Sequence, residues 1–357
     1  MESFDTIVIG GGQAGSAVAY HLASRGSSFV VLDGGDEVGQ VWRSRWDSLR
    51  LFTAARYSGL PGMAFPGDPD RYPDKDDVAD YLQAYVERFD LPVRLGSRVT
   101  RLSRADSGFV VRTSDSLLHA RQVVVATGAF QSPAVPPSLA ARLGADVVQV
   151  HSGAYRRPAD LPEGPVVVVG AGNSGVQIAE ELAATREVHL AVGSRPRMIA
   201  QRPLGRDLFR WLTRLGIVDL PAGSRLGRRL RSGPEMVMSS WSRLARLGIT
   251  VRPRLVDAEG SRVRLDDGTS ADVASVVWAT GYRSDWSWVD IAGSVDDDGS
   301  VRHQRGVSPV PGLYFVGLPW QHTRGSALLG FVQHDAAWVA DQLAKCPIPR
   351  LPTYSSS

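Results

Sequence analysis

Two strand–glycine–helix turns and a pair of Ala-Thr-Gly crossings predict an α/β chain of two Rossmann-like dinucleotide-binding domains, the second inserted into the first. The first turn lies in TIVIGGGQAGSAVAYHLASRG, residues 6 to 26, and the second in VVVVGAGNSGVQIAEELA, residues 166 to 183. The crossings are RQVVVATGAF, residues 121 to 130, and ASVVWATGYRS, residues 274 to 284.

In the first turn each glycine has a separate task. Gly10 allows the tight turn, Gly12 lets the backbone approach a pyrophosphate, and Gly15 lets the helix pack on the strand. Gln13 and Ala14 open the helix, whose unpaired amides face the phosphates. A second strand, FVVLD, ends at Asp33, close to the ~20 residues expected between the turn and the acid that grips a ribose.

Gly170, Gly172 and Gly175 repeat the spacing, with Asn173 and Ser174 between them. Here the second strand, VHLAV, runs into GSRPR, so Ser194, Arg195 and Arg197 stand where an acid would be. An acid repels a ribose phosphate, whereas a guanidinium pairs with it. The first site therefore suits a free ribose, as in FAD or NAD, and the second suits NADP, unless the arginines are plain surface charges.

Each crossing runs a buried strand into a glycine, Gly128 or Gly281, that lets the chain turn sharply beside a cofactor. The expected division is a first domain of residues 1–158 and 276–346, an inserted domain of 159–275, and a loose tail of 347–357. GLYFVGLPW, residues 312 to 320, reads as a last strand, and SALLGFVQHDAAWVADQLA as a helix closing on the cofactor. Between Gly205 and Gly248, Leu208, Trp211, Leu212 and Leu215 fall at i, i+3, i+4 and i+7, a helical stripe packed on the body, lidding a cavity or serving association.

At 357 residues, 43% hydrophobic and 22% charged, the chain is long enough for about two cores and too apolar for disorder. Its net charge of +3 gives no strong field for nucleic acid, and the basic stretch SRLGRRLRS lacks interleaved aromatics, so it reads as a solvated face. No apolar run approaches the ~20 residues of a membrane span. With a strand beginning by Thr6 there is no room for a signal peptide, and a cytoplasmic protein is expected. One cysteine, Cys346, precludes a Cys-x-x-Cys pair, and the seven histidines show no metal-ligand spacing. Hydrolase and kinase motifs are also missing.

Taken together, the motifs resemble closely the flavin-containing monooxygenases with two dinucleotide-binding domains, in particular small bacterial members and the plant auxin-forming branch. GGGQAG, the long segment from Val38 to Val93, ATGAFQSPAVP, HSGAYRRP, GAGNSG, ATGY and GLYFVG carry the resemblance over nearly the whole chain. It implies that Gly10, Gly12, Gly15 and Asp33 hold the ADP half of FAD, with Gln40 and Trp42 further along the cofactor. Leu51 to Thr53 would lie near the flavin ring, Val99 near the adenine, and Ala126, Thr127 and Gly128 on the pyrophosphate side. Gly170, Gly172, Asn173, Ser174, Gly175, Ser194 and Arg195 would hold NADPH. Gly281 and Gly317 belong to the cofactor-facing turns, and Trp320 to Arg324, with Gln321 and Thr323, would approach the flavin from the C-terminal side. The family signature is met at His151 and Tyr155, whereas Ala145 and Val147 replace a Phe and a Gly. The Leu51 to Ala55 stretch lacks the asparagine of animal members.

The function so implied is a monooxygenase that uses FAD and NADPH, passing hydride to the flavin and inserting one oxygen atom into a small molecule through a flavin hydroperoxide. Without a cysteine pair the electrons have no internal disulfide to reach, and molecular oxygen needs no further protein cofactor. Two alternatives stay open: an NADPH oxidase or electron-transfer reductase, and a nucleotide-sensing binding protein without turnover. Homo-oligomers are compatible with either. No catalytic side chain is singled out, and His151 reads as a domain-linking residue as readily as an acid or base.

Overall fold

The computed structural model describes residues 2–345, so Cys346 and the expected tail lie outside the described residues. Its first sheet runs in the order Val289–Asp290, Val99–Ala105, Gly108–Thr113, Leu117–Val125, Glu2–Ile9, Phe29–Leu32 and Val93–Arg94, and Leu313–Phe315 also pairs with Leu117–Val125. Glu2–Ile9 lies parallel to both neighbours, with Ile7 opposite Val30 on one side and Val123 on the other. Four successive apolar residues of Phe29–Leu32 are all buried, as a parallel strand covered on both faces requires. Helix Gln13–Ala23 covers one face, and the C-terminal helix Gln333–Lys345 packs against it.

The chain leaves this sheet after Leu117–Val125 and returns at Val289–Asp290 and Leu313–Phe315. Between them it builds a second, all-parallel sheet ordered Thr250–Arg252, Val188–Ala191, Val166–Val169, Ser275–Trp278 and Val148–His151. The inserted α/β unit is therefore present. Its sheet extends from Val148 to Trp278, beyond the 159–275 expected from sequence, because Val148–His151 finds its partner in Ser275–Trp278, over a hundred residues away.

Residues 199–247 leave the second sheet as short helices. Leu208–Arg214 and Trp241–Arg246 are capped by Asp207 and Ser240. The expected stripe holds only in part: Leu208 and Leu212 are buried, but Leu215 is 67% exposed and the inward place belongs to Phe209. The helix stops at Arg214, and Gly216 turns the chain at φ +67°, so Leu215 falls past the end of the packed face.

Candidate functional site

At the first turn Gly10 has φ +104°, and a Cβ there would stand 2.7 Å from the Ala126 carbonyl oxygen. At Gly15 a Cβ would fall 1.8 Å from the Gly10 carbonyl oxygen, so both positions need glycine. Gly12 differs, since no atom lies within 4 Å of its Cβ position. Gly12 caps helix Gln13–Ala23 without any side-chain cap, and the first turn of that helix holds no acid. The open space above it thus receives unpaired amides and the positive end of the helix dipole, which suits a pyrophosphate.

The surrounding residues converge on that space. Asp33 accepts the Gly11 N–H through Oδ2 at 2.5 Å and the Gly35 N–H through Oδ1 at 2.7 Å, which fixes its carboxylate beside the first turn. The Ser97 N–H donates to the Asp33 carbonyl at 2.7 Å, bringing Val99 to the same side. Gln13 bridges two elements: its Oε1 accepts from Trp42 Nε1 at 3.1 Å, and its Nε2 donates to the Ala327 carbonyl at 3.2 Å. Gln40, on the same short helix as Trp42, accepts the Asp36 N–H. Ala126 donates its N–H to the Ile9 carbonyl, and Gln131 donates to Thr127 Oγ1 and the Gly128 carbonyl.

The C-terminal loop closes from the other side. Gly317 has φ +85°, and a Cβ there would stand 2.7 Å from Ala14 Cβ. Gln321 is buried and uses its amide on the Phe315 carbonyl and the Leu318 N–H, while Thr323 caps the short helix Arg324–Ala327. These two side chains shape the loop. Trp320, at φ +56°, is a strained non-glycine residue in the same loop.

Leu51 and Thr53 are buried. Gln177, on the helix after the second turn, accepts the Arg50 N–H and donates to the Arg50 carbonyl, at 3.2 and 3.0 Å. Gln201 donates to the Phe52 carbonyl at 3.0 Å. Beside this segment opens a cavity of about 550 Å³ whose walls include Tyr57, Leu60, Met63, Phe65 and Phe331. Helix Lys75–Arg88, started by a capping box of Asp74 and Asp77, holds one wall: Tyr81 donates to the Met63 carbonyl and accepts the Leu60 N–H, and Tyr85 donates to the Pro61 carbonyl. Burial pushes the Tyr81 phenol up to about 12, so it stays a neutral donor.

The second turn repeats the first. Gly170 has φ +109°, with the Ala279 carbonyl oxygen 2.3 Å from its Cβ position, and at Gly175 a Cβ would fall 2.0 Å from the Gly170 carbonyl oxygen. Gly172 caps helix Asn173–Leu182, again without a side-chain cap or an acid in the first turn. Ser174 sits half-buried in that first turn of the helix. Asn173 spends its amide on backbone, donating to the Met236 carbonyl at 3.1 Å and accepting the Met238 N–H at 3.2 Å. Ser194 and Arg195 are exposed at the end of the second strand, with the Arg195 guanidinium 4.8 Å above the Trp241 ring.

His151 lies at the joint. Its Nε2 donates to the Gly281 carbonyl at 2.9 Å, and its Nδ1 accepts the Gly153 N–H at 3.1 Å. Burial holds the imidazole below its ordinary value, the Gly281 bond opposing and Arg45 reinforcing that shift. Its ring meets Tyr282 edge-on, and Tyr282 accepts from Arg45, so the histidine links the two units. Among the described residues no cluster of three or more His, Cys, Asp or Glu could hold a metal.

Three residues of the second site escape a sequence reading. Arg254 donates to the Gly193 carbonyl at 3.2 Å, Trp241 stacks under Arg195, and Glu235 stands over Gly172. The signal for Glu235 is that it is the one acid among residues 220–256, beside eight arginines. For the other two no local pattern exists.

Residues 7–204 match the family model described as pyridine nucleotide-disulphide oxidoreductase. An uncharacterized CzcO-like oxidoreductase of Geobacillus kaustophilus is 42% identical over 95% of this chain and 98% of its own. The probable indole-3-pyruvate monooxygenase YUCCA1 of Arabidopsis thaliana is 27% identical over 90% of this chain and 86% of its own. Among solved structures, a flavin-containing monooxygenase from Stenotrophomonas maltophilia superposes with a TM-score of 0.83 at 28% identity, covering 97% of this chain and all of the other. The chain belongs to the pyridine nucleotide-disulphide oxidoreductase family and is one of its flavin-containing monooxygenase members.

Proposed function

We propose that this chain is an FAD- and NADPH-dependent monooxygenase that oxygenates a small molecule at nitrogen, sulfur or a carbon beside a carbonyl. The observation that carries the reading is the clasp of Arg50–Thr53, the segment expected at the flavin ring, by Gln177 and Gln201 of the unit that holds the second turn. Two nucleotides seated on the two turns would bring their reactive ends to this segment. Bound there, FAD supplies the oxygen chemistry and NADPH the reducing equivalents.

The protein's own part is seating, orientation and exclusion of water. Gly10, Gly12, Gly15 and Asp33 would seat FAD; Gly170, Gly172, Gly175, Ser194 and Arg195 would seat NADPH. Gln13 ties the first turn to Trp42 and to the C-terminal loop, which would hold the loop over FAD bound at that turn. Phe52, Tyr57, Phe209 and Phe331 pack as an aromatic group beside the cavity, an apolar wall for the reacting ends and for an apolar substrate. The departures from the family signature fall away from this group: Ala145 is on the surface, and Val147 packs in the cluster that includes Trp278.

The purified protein should be yellow, bleach when NADPH is added without oxygen, and show a transient absorbing species on re-aeration that decays faster with a productive amine, thioether or ketone. A colourless protein that refuses FAD overturns the reading. Bleaching followed by stoichiometric peroxide, whatever organic compound is present, replaces it with an oxidase.

A further inference from the structure

The two turns differ at their mouths. Above Gly12 the space is open, but above Gly172 stands the carboxylate of Glu235, with Oε2 and Oε1 at 3.1 and 3.4 Å from the position a Cβ would take. The backbone carries it there. Met236–Val237 pairs in parallel with Arg197–Met198, the Arg197 N–H donates to the Glu235 carbonyl at 2.7 Å, and Asn173 clasps Met236 and Met238. Asn173 Nδ2 also reaches Glu235 Oε1 at 3.5 Å.

Charge on both sides fits an anion at this place. Arg324 of the C-terminal loop is half-buried and forms no side-chain hydrogen bond or ion pair among the described residues. Burial pushes its guanidinium down from the ordinary value, with Glu235 opposing and Arg197 reinforcing the shift, so the three charges share one neighbourhood. A carboxylate over an uncapped helix start, near two guanidinium groups, satisfies what a pyrophosphate satisfies.

We propose that Glu235 is a displaceable internal anion that covers the second turn and competes with the pyrophosphate of NADPH. The inference rests on the reading of the second turn as the NADPH site. Because the Glu235 side chain is exposed, it can swing into water at small cost, leaving Arg324 and Arg197 to face the incoming phosphates. The device lowers affinity for the nucleotide and leaves the Ser194 and Arg195 end of the site untouched.

Calorimetric titration of the FAD-loaded protein with NADP⁺ and with adenosine 2′-monophosphate, which lacks a pyrophosphate, tests this in the wild type, Glu235→Gln and Glu235→Ala. Both variants should bind NADP⁺ on the order of tenfold more tightly, since a like charge beside the phosphates is removed. Adenosine 2′-monophosphate should bind all three proteins equally. If the wild type binds NADP⁺ and the variants bind it no better or more weakly, Glu235 is a cofactor ligand or a bystander, and the competition is overturned while the NADPH site stands. Equal tightening for both nucleotides also overturns it, because the effect is then general electrostatics. If no protein binds NADP⁺, the reading of the second turn fails and the inference with it.

Discussion

The two glycine turns of this chain are near copies in backbone and unlike in surroundings. Their first glycines sit at φ +104° and +109°, and their third glycines would place a Cβ at 1.8 and 2.0 Å from a carbonyl oxygen. The first is followed by Asp33 and opens to free space; the second is followed by Ser194 and Arg195 and is covered by Glu235. The packing of helix on strand in each cradle therefore comes from short-range sterics, which spacing encodes, while the first glycine answers to a carbonyl over a hundred residues away, Ala126 or Ala279. Which nucleotide enters, and how easily, comes from side chains that other segments deliver.

Breaking each cradle in turn gives the largest expected effect. Gly15→Ala drives a methyl into the Gly10 carbonyl and should cost about 4 kcal/mol or more, since the helix cannot move off the strand without opening the core. The variant should purify without flavin and melt far below the parent. Gly175→Ala meets the same obstacle in the inserted unit, yet it should keep FAD, because the first sheet is built without it. Absorbance at the flavin band and NADP⁺ titration read the two losses separately. If both variants lose FAD equally, the two units do not fold as separable bodies.

A smaller effect separates the nucleotides rather than the cradles. On the proposed reading, Arg195→Ala would remove a charge-assisted contact to the ribose phosphate, worth about 1.5–3 kcal/mol, or roughly 10- to 150-fold in affinity. NADPH should weaken by that factor and NADH should not change. Equal weakening of both would mean that Arg195 acts by stacking on Trp241.

Residue spacing made the fold class and both turns legible, because the third glycine of each turn packs on the carbonyl of the first, five residues back. The clasp of Arg50–Thr53 by Gln177 and Gln201 joins residues more than a hundred apart and left no pattern to read. The stripe at Leu208 to Leu215 was half legible: periodicity marked a helix, but its length depended on Gly216, and the inward side chain turned out to be Phe209. Asn173 shows a different limit. Its place in the glycine motif predicts a cofactor-facing position, but the motif does not contain the contact by which its amide holds Met236 and Met238.

The smallest expected effect concerns the joint at His151, where strand Val148–His151 meets the turn at Gly281. His151 is held neutral, donating to Gly281 and accepting from Gly153, and burial lowers its pKa below the ordinary 6.5. The unfolded chain thus binds the proton more readily than the folded one, so stability rises with pH across this window. The contribution of His151 is complete above about pH 6.5 and is lost as the pH falls toward and through the depressed folded value. Replacing it by glutamine removes a buried hydrogen bond and should cost about 1 kcal/mol at pH 8. Glutamine does not titrate, so the gap in melting temperature between the two proteins should narrow as the pH drops from 7 to 5. His189 and His303 are also held low by burial and tilt both proteins alike, which makes the difference between them the quantity to follow. A gap that stays constant over that range would mean that His151 takes up its proton at Nδ1 without cost to the fold, and that the Gly153 contact there adds nothing to the joint.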